Sequence, residues 1–260
     1  MTFSLLLERT EQVLEKIYQG ADDPSPTLLF DSTELAECRE QSPLWLDTAH
    51  NPRLLECVSQ EPGLWPGLII DSAASTQTLL SHLRHILLVR FGEDRKGVLR
   101  YSNPTTASYL FTLDDAQSRA TWLGPISHVR WYGGTWADQA RGEQRWFSVD
   151  NPDAEHWKAI RGQVPARLGP REEQALQRQR KEHFVYQWWK NQGDMAFAQA
   201  CQYLDQGLDN GFVQAGELHT FLALRSGYPH HELPPLTPSV SNEERLELLQ
   251  RYLHDKESLT

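Results

Sequence analysis

The stretch GVLRYSNPTTASYL, Gly97–Leu110, carries a strand into a helix across an Asn-Pro corner, and the fold is read outward from it. Val98, Leu99 and Tyr101 are residue types that suit a pleated, half-buried surface. Asn103 ends the run, and Pro104 has the fixed φ and missing N–H that fit the first position of a helix. Between them sits Arg100, a cation at the end of a strand. Ligand sites of α/β proteins lie at such ends, and so do structural ion pairs.

Upstream, ILLVRF and VLRYS flank GEDRKG, whose turn residues suit a hairpin. Before the hairpin a helix is capped by Ser75 or Thr76 and runs to about His85, with Leu79, Leu80 and Leu83 on its apolar face. GLIIDS (Gly67–Ser72), PLWLDT (Pro43–Thr48) and TLLFD (Thr27–Asp31) read as strands. STELAECREQ reads as a helical turn or two, and PRLLECVSQ as a short helix with Pro52 near its start. Phe3, Leu6, Leu7, Val13, Leu14 and Ile17 fall at helical spacing, so residues 2–18 read as one amphipathic helix. Downstream, SHVRWYGG and QRWFSVDN are two further strands.

The first 165 residues therefore alternate strands with short helices, which favours an α/β or α+β layer on a mixed sheet. Beyond them the character changes. A long helix opens near Pro170, and others follow over Met195–Gly207, Ala215–Gly227 and Asn242–His254, with the Pro-rich connector YPHHELPPLTPSVS before the last. The expected organisation is an α/β lobe over 1–165 and a smaller all-helical lobe over 166–260.

The chain has 260 residues, with 25 Lys and Arg against 35 Asp and Glu, a net charge of −10. Binding to nucleic acid depends on clustered positive charge, and the nearest cluster, Arg178–Lys181, is diluted by Glu172, Glu173 and Glu182. No apolar run reaches the roughly 20 residues that span a bilayer. Cys38, Cys57 and Cys201 are widely spaced and odd in number, as in a reducing compartment. The N-terminus lacks the basic start and cleavage site of a signal peptide, so a cytoplasmic location is expected.

Signatures of catalysis are missing: no Gly-Lys-Ser/Thr phosphate loop, no Gly-x-Gly-x-x-Gly, no Gly-x-Ser-x-Gly elbow. His82 and His85 share a helix side but have no further ligands near them in sequence for a metal. In Asp205–Glu217 the glycine and glutamate fall one place beyond the positions a calcium loop requires. Asp31, Asp71 and Arg100 lie at strand ends where a small-molecule enzyme would gather a phosphate- or carboxylate-binding site; this is the alternative to a binding protein. HFVYQWWK, His183–Lys190, is the densest aromatic cluster, and its arc is too wide for a narrow stripe. It packs a core or meets a partner.

Several elements in order resemble the adaptor chaperones of bacterial type VI secretion. These are a helix ending His82-Leu83-Arg84, a hairpin, then Leu99-Arg100-Tyr101 with Asn103-Pro104 opening a helix, and finally Leu123-Gly124-Pro125. LLFDSTEL, with Asp31, resembles the family's opening strand, and PLWLDT and GLIIDS its next two. Asn103 stands where the family often has Asp. The match covers 27 to about 150 and is weaker beyond, where Ala196–Gly227 resembles a late helical pair. The resemblance implies a non-catalytic protein without cofactor or metal, monomeric until it joins a heteromeric complex. It would bind a secreted toxin effector and help load it onto the VgrG-type spike protein, without nucleic acid or membrane. Asp31, Arg84, Arg100, Asn103 and Pro104 would be scaffold. Tyr101, Trp188 and Trp189 are the candidate partner anchors. A desolvated Arg100 must be paired, with Asp31 or Asp71 as the expected carboxylate.

Overall fold

The opening TFSLLL is a strand and not the start of a helix. Thr2–Leu7 forms β1, and only Glu11–Gly20 forms α1. The break is at Thr10, whose hydroxyl accepts from the Val13 N–H at 3.1 Å and starts the helix there. β1 shows no alternation because Leu5, Leu6 and Leu7 are all buried; a strand covered on both faces reads as an unbroken apolar run.

The computed structural model describes residues 2–21, 24–49, 51–113, 115–159, 165–193, 195–234 and 240–258. After β1 and α1 come β2 (Thr27–Leu28), β3 (Leu44–Asp47), α2 (Pro52–Gln60), β4 (Gly67–Ser72), α3 (Thr76–Leu87), β5 (Leu88–Phe91), β6 (Arg95–Val98), α4 (Pro104–Leu110), α5 (Ala116–Leu123), β7 (His128–Gly133), α6 (Trp136–Arg141), β8 (Arg145–Asp150) and β9 (Ala166–Arg167). Helices α7 (Pro170–Trp189), α8 (Phe197–Asp209), α9 (Ala215–Gly227) and α10 (Asn242–Glu257) complete the described elements. The class is the expected one: helices and a sheet first, helices after.

The main sheet has six strands in the order β2-β3-β1-β4-β7-β8, and its neighbours pair antiparallel. The mixed sheet expected from the alternation of strands and helices is the small one, β6-β5-β9, where β5 and β9 run parallel. The reason lies in β1. β3 and β4, joined through α2, are both antiparallel to β1 and so parallel to each other, but β1 is inserted between them. TLLFD yields only the two-residue β2; Leu29 and Phe30 leave the ladder yet stay buried.

Each sheet face has its own core. Leu6, Leu68, Ile70, Val129 and Trp131 face one way and pack with Leu79, Leu83 and Ile86 of α3, Leu110 of α4 and Trp122 of α5. Leu5, Leu7, Leu44, Leu46 and Ile69 face the other way, against Val13 and Ile17 of α1 and Leu54 and Val58 of α2. Contacts divide the chain into two compact units, Met1–Gln179 and Arg180–Thr260. The division falls inside α7, past the 165/166 boundary expected from composition. The first turns of α7 are stitched into the first unit. Glu172 accepts from the Ser118 hydroxyl at 2.5 Å and the Trp122 indole at 3.1 Å, Glu173 from the Gly92 N–H at 2.8 Å, and Gln179 donates to Thr106 at 2.9 Å.

Two buried polar clusters hold the corners of the first unit. The first answers the question of Arg100. Its guanidinium pairs with Glu8, just after β1, at 2.7 Å, and neither Asp31 nor Asp71 is its partner. The Ser102 hydroxyl donates to the other carboxylate oxygen of Glu8, which is only 9% exposed. The second cluster joins α3 to the Leu123-Gly124-Pro125 turn. The His82 ring, 3% exposed, donates from Nε2 to the Trp122 carbonyl at 3.1 Å, since a carbonyl only accepts, and lies edge-on to Trp157. Gly124 has φ +54°, and a Cβ there would lie 2.4 Å from the His82 ring, so the turn requires glycine. Ser72 donates to the Pro125 carbonyl at 2.6 Å and Asn151 to that of Gly124 at 2.9 Å.

Replacing Arg100 with Ala leaves a buried carboxylate held by one hydroxyl. We expect a loss of about 2 kcal/mol in urea unfolding, tempered by the partial exposure of Arg100. Adding Glu8→Gln should recover part of it, and an unchanged midpoint in Arg100→Ala would refute the pairing. His82 gives a pH dependence. Burial lowers its pKa from 6.5 to about 4, against the opposing pull of the Trp122 carbonyl and with a small push from His85. The unfolded chain protonates near 6.5 and the folded one only near 4. The stabilisation from a neutral ring is therefore complete above pH 6.5 and is lost as pH falls toward 4, by roughly 3 kcal/mol. An NMR titration of the ring should give a value near 4; one above 6 would contradict its burial. Gly124→Ala should cost at least about 2 kcal/mol, read by thermal unfolding.

Candidate functional site

The other residues singled out from the sequence fall on different elements. Asn103 caps α4: its Oδ1 accepts from the Thr105 and Thr106 N–H groups at 3.0 and 3.2 Å, and Pro104 occupies the first helical position. Arg84, at the end of α3, donates from Nε to the Leu29 carbonyl at 3.1 Å and from Nη2 to that of Leu28 at 3.4 Å. These bonds pin the helix to the chain leaving β2. Asp31 lies in the turn after β2 and meets Arg39 at 3.7 Å, both well exposed, a pairing that contributes little. Asp71 is buried in β4, across from His128 of β7.

One of the three expected partner anchors, Tyr101, is internal, and Trp188 and Trp189 are both half-buried. Tyr101 is 1% exposed; its hydroxyl donates to the Leu83 carbonyl at 2.7 Å, and its ring lies 6.4 Å from Phe111. A partner reaches no part of it without unfolding the corner, so Tyr101 is core. In the Arg180–Thr260 unit, Trp189 donates from Nε1 to the Met195 carbonyl at 2.6 Å and packs on Tyr186 and Phe197. Trp188 is half-buried as well. Phe184 stacks on His219 at 4.7 Å.

The surface that the sequence reading missed lies on β7 and β8. β7 alternates strictly: Val129 and Trp131 are buried, whereas His128, Arg130 and Tyr132 are half-buried. Register places Arg130 beside Ile69 and His128 beside Asp71, on the sheet face whose other half is covered by α1 and α2. Across the last pair, His128, Arg130 and Tyr132 sit opposite Asp150, Ser148 and Trp146. The result is a platform with three distinct parts. His128 Nδ1 lies 2.6 Å from Asp150 Oδ1. The Arg130 guanidinium lies 6.0 Å over Phe3, and its Nε is buried without a partner among the described residues. Tyr132 and Trp146 meet edge to face at 5.8 Å, with Trp146 39% exposed.

β8 is a terminal strand, and among the described residues no strand pairs with its outer edge. Beside β7 packs the 3-10 turn Pro62–Leu64, with Leu64 46% exposed. A free strand edge, an exposed indole, an apolar neighbour and an arginine are the parts by which extended chains of other proteins are held. The signal was present in HVRWYG and RWFSVD. Each alternates, and one phase of each is polar or aromatic where the covered half of the sheet is aliphatic. Among the described residues no three His, Cys, Asp or Glu side chains gather in a way that would hold a metal ion, and no helix is long and apolar enough to cross a membrane.

No curated protein and no solved structure matches the chain. Residues 5–120, from β1 into α5 and including the Glu8–Arg100 pair, match the family model described as a domain of unknown function, DUF4123, which is associated with adaptors of type VI secretion.

Proposed function

We propose that this protein is a non-catalytic adaptor of bacterial type VI secretion. It binds a toxin effector and assists its loading onto the VgrG-type spike protein. The observation that carries this reading is the uncovered half of the sheet, with its free β8 edge and the Arg130, Tyr132 and Trp146 platform. An extended segment of the effector pairs with the β8 edge through main-chain hydrogen bonds, and its side chains seat on the aromatic pair. Interfaces of this kind bury about 1,200–2,000 Å² in total, so further contacts are needed, and half-buried Trp188 is a candidate for one. The match of residues 5–120 to a domain associated with such adaptors agrees with this assignment.

An enzyme on this scaffold would have to bring Asp31, Asp71 and Arg100 together. Instead Asp31 meets Arg39, Arg100 meets Glu8, and Asp71 is buried in β4. That arrangement favours the adaptor reading over a site for small phosphates or carboxylates.

The test is co-purification from the native cell, with captured proteins identified by mass spectrometry. Wild-type chain should bring down a toxin and a spike protein. The combined change Arg130→Ala, Tyr132→Ala and Trp146→Ala should reduce toxin recovery at least about tenfold, because buried aromatic and arginine anchors dominate such interfaces, while leaving the melting temperature within a few degrees. Full recovery with the triple variant would remove the platform from the reading, and a chain that always came down alone would remove the function itself. Trp188→Ala should lower recovery with the fold intact, whereas Trp189→Ala should destabilise the chain by about 3 kcal/mol, as loss of a packed indole does.

A further inference from the structure

We propose that a groove in the Arg180–Thr260 unit is a second binding site, one that takes a carboxylate carried on a peptide. The groove measures about 450 Å³ and is lined by Gln206 of α8, Arg225 of α9 and residues 229–233 after α9. Arg225 is 6% exposed. Its Nη1 donates to the Tyr228 carbonyl at 3.2 Å and the His231 carbonyl at 2.8 Å, and its guanidinium lies 4.8 Å over the Tyr203 ring. Among the described residues no carboxylate pairs with it, and burial lowers its pKa from the ordinary arginine value, against the opposing pull of Tyr203. A buried guanidinium without an anion is costly.

Three side chains that line this groove each carry a polar atom buried without a partner among the described residues: Arg225 Nε, His231 Nδ1 and Gln206 Oε1. Arg225 Nε–H is a charge-assisted donor, for which a carboxylate is the strongest acceptor. His231 adds a second donor when its hydrogen is on Nδ1, and Gln206 adds a third once its amide turns over. Pro229 and Leu233 give apolar walls for the residue that carries the carboxylate. Glu232, exposed at the same groove, repels a small free anion. A peptide meets both demands, because it brings N–H groups for Glu232 along with a carboxylate for Arg225. The carboxylate has two possible sources, a chain end or an Asp or Glu side chain. All these residues belong to one unit, and the site is independent of the β7–β8 platform.

The full chain, 15N-labelled at arginine, can be titrated with three synthetic peptides. Acetyl-Ala-Leu-Ala has a free chain end, acetyl-Ala-Leu-Glu-Ala-amide has only a side-chain carboxylate, and acetyl-Ala-Leu-Gln-Ala-amide has neither. The Arg225 Nε–Hε signal, identified by its loss in Arg225→Lys, should shift saturably with at least one of the first two, and which one responds names the source. Gln206→Glu, which places a competing carboxylate on the wall, should weaken that binding at least tenfold without lowering the melting temperature. No shift with either carboxylate peptide, equal binding of the neutral peptide, or an unchanged dissociation constant in Gln206→Glu would each overturn the proposal. None of these outcomes bears on recovery of toxin through the sheet platform.

Discussion

Two helices cannot cover one face of a six-stranded sheet. Helices are about 10 Å across and strands about 4.8 Å apart, so a pair of helices spans about four strands. Here α1 and α2 cover β2, β3, β1 and β4, and the remaining two strands, β7 and β8, keep that face open. On the opposite face α3, α4 and α5 reach as far as Trp131, which is fully buried and donates to Ser108 of α4 at 2.8 Å. The same two strands are therefore core on one side and surface on the other. Their alternation follows from this, as does the place where a polar and aromatic platform is tolerated.

The polar clusters that fix this arrangement join residues far apart in the chain. Glu8 meets Arg100 and Ser102 across more than ninety residues. The second cluster runs from His82 through Trp122 and Gly124 to Asn151. A buried carboxylate or imidazole is costly unless its partners stand in one geometry. Each cluster therefore excludes other packings of the same apolar residues. The motif residues His82, Arg84, Arg100, Asn103 and Gly124 are explained by this corner-setting work, and none of them needs to touch a partner for the protein to depend on it.

Local chemistry was legible in the sequence, and long-range pairing was not. Asn103-Pro104, Ser75 and Pro170 mark helix starts because capping is settled within one turn. The hairpin around Gly92 and Asp94 is legible for the same reason, both residues having positive φ. β1 was misread because burial on both faces erases period two, and the helical spacing of its leucines with Val13 and Ile17 is coincidental. The short α5 and α6 and the two-residue β9 carry too few residues for periodicity to show. The partner of Arg100 was out of reach because Asp31 and Asp71 resemble strand-end acids, whereas Glu8 lies within the 2–18 segment read as one helix and is 92 residues away from Arg100 in the chain. Tyr101 looked like an anchor because sequence does not separate an aromatic that packs inside from one that packs against another molecule.

An open strand edge serves any chain that can lie along it, and a second copy of the same protein is always the nearest at hand. Edge strands are sites of self-association unless something opposes it. β8 carries exposed Arg145 and Asp150 at its two ends, and copies of a chain with a net charge of −10 repel one another. The acidic balance thus acts as colloidal protection against pairing of one copy's edge with another's. Because the Debye length shrinks from about 10 Å at 0.1 M to 3 Å at 1 M salt, that protection is a property of dilute electrolyte and fades as salt rises.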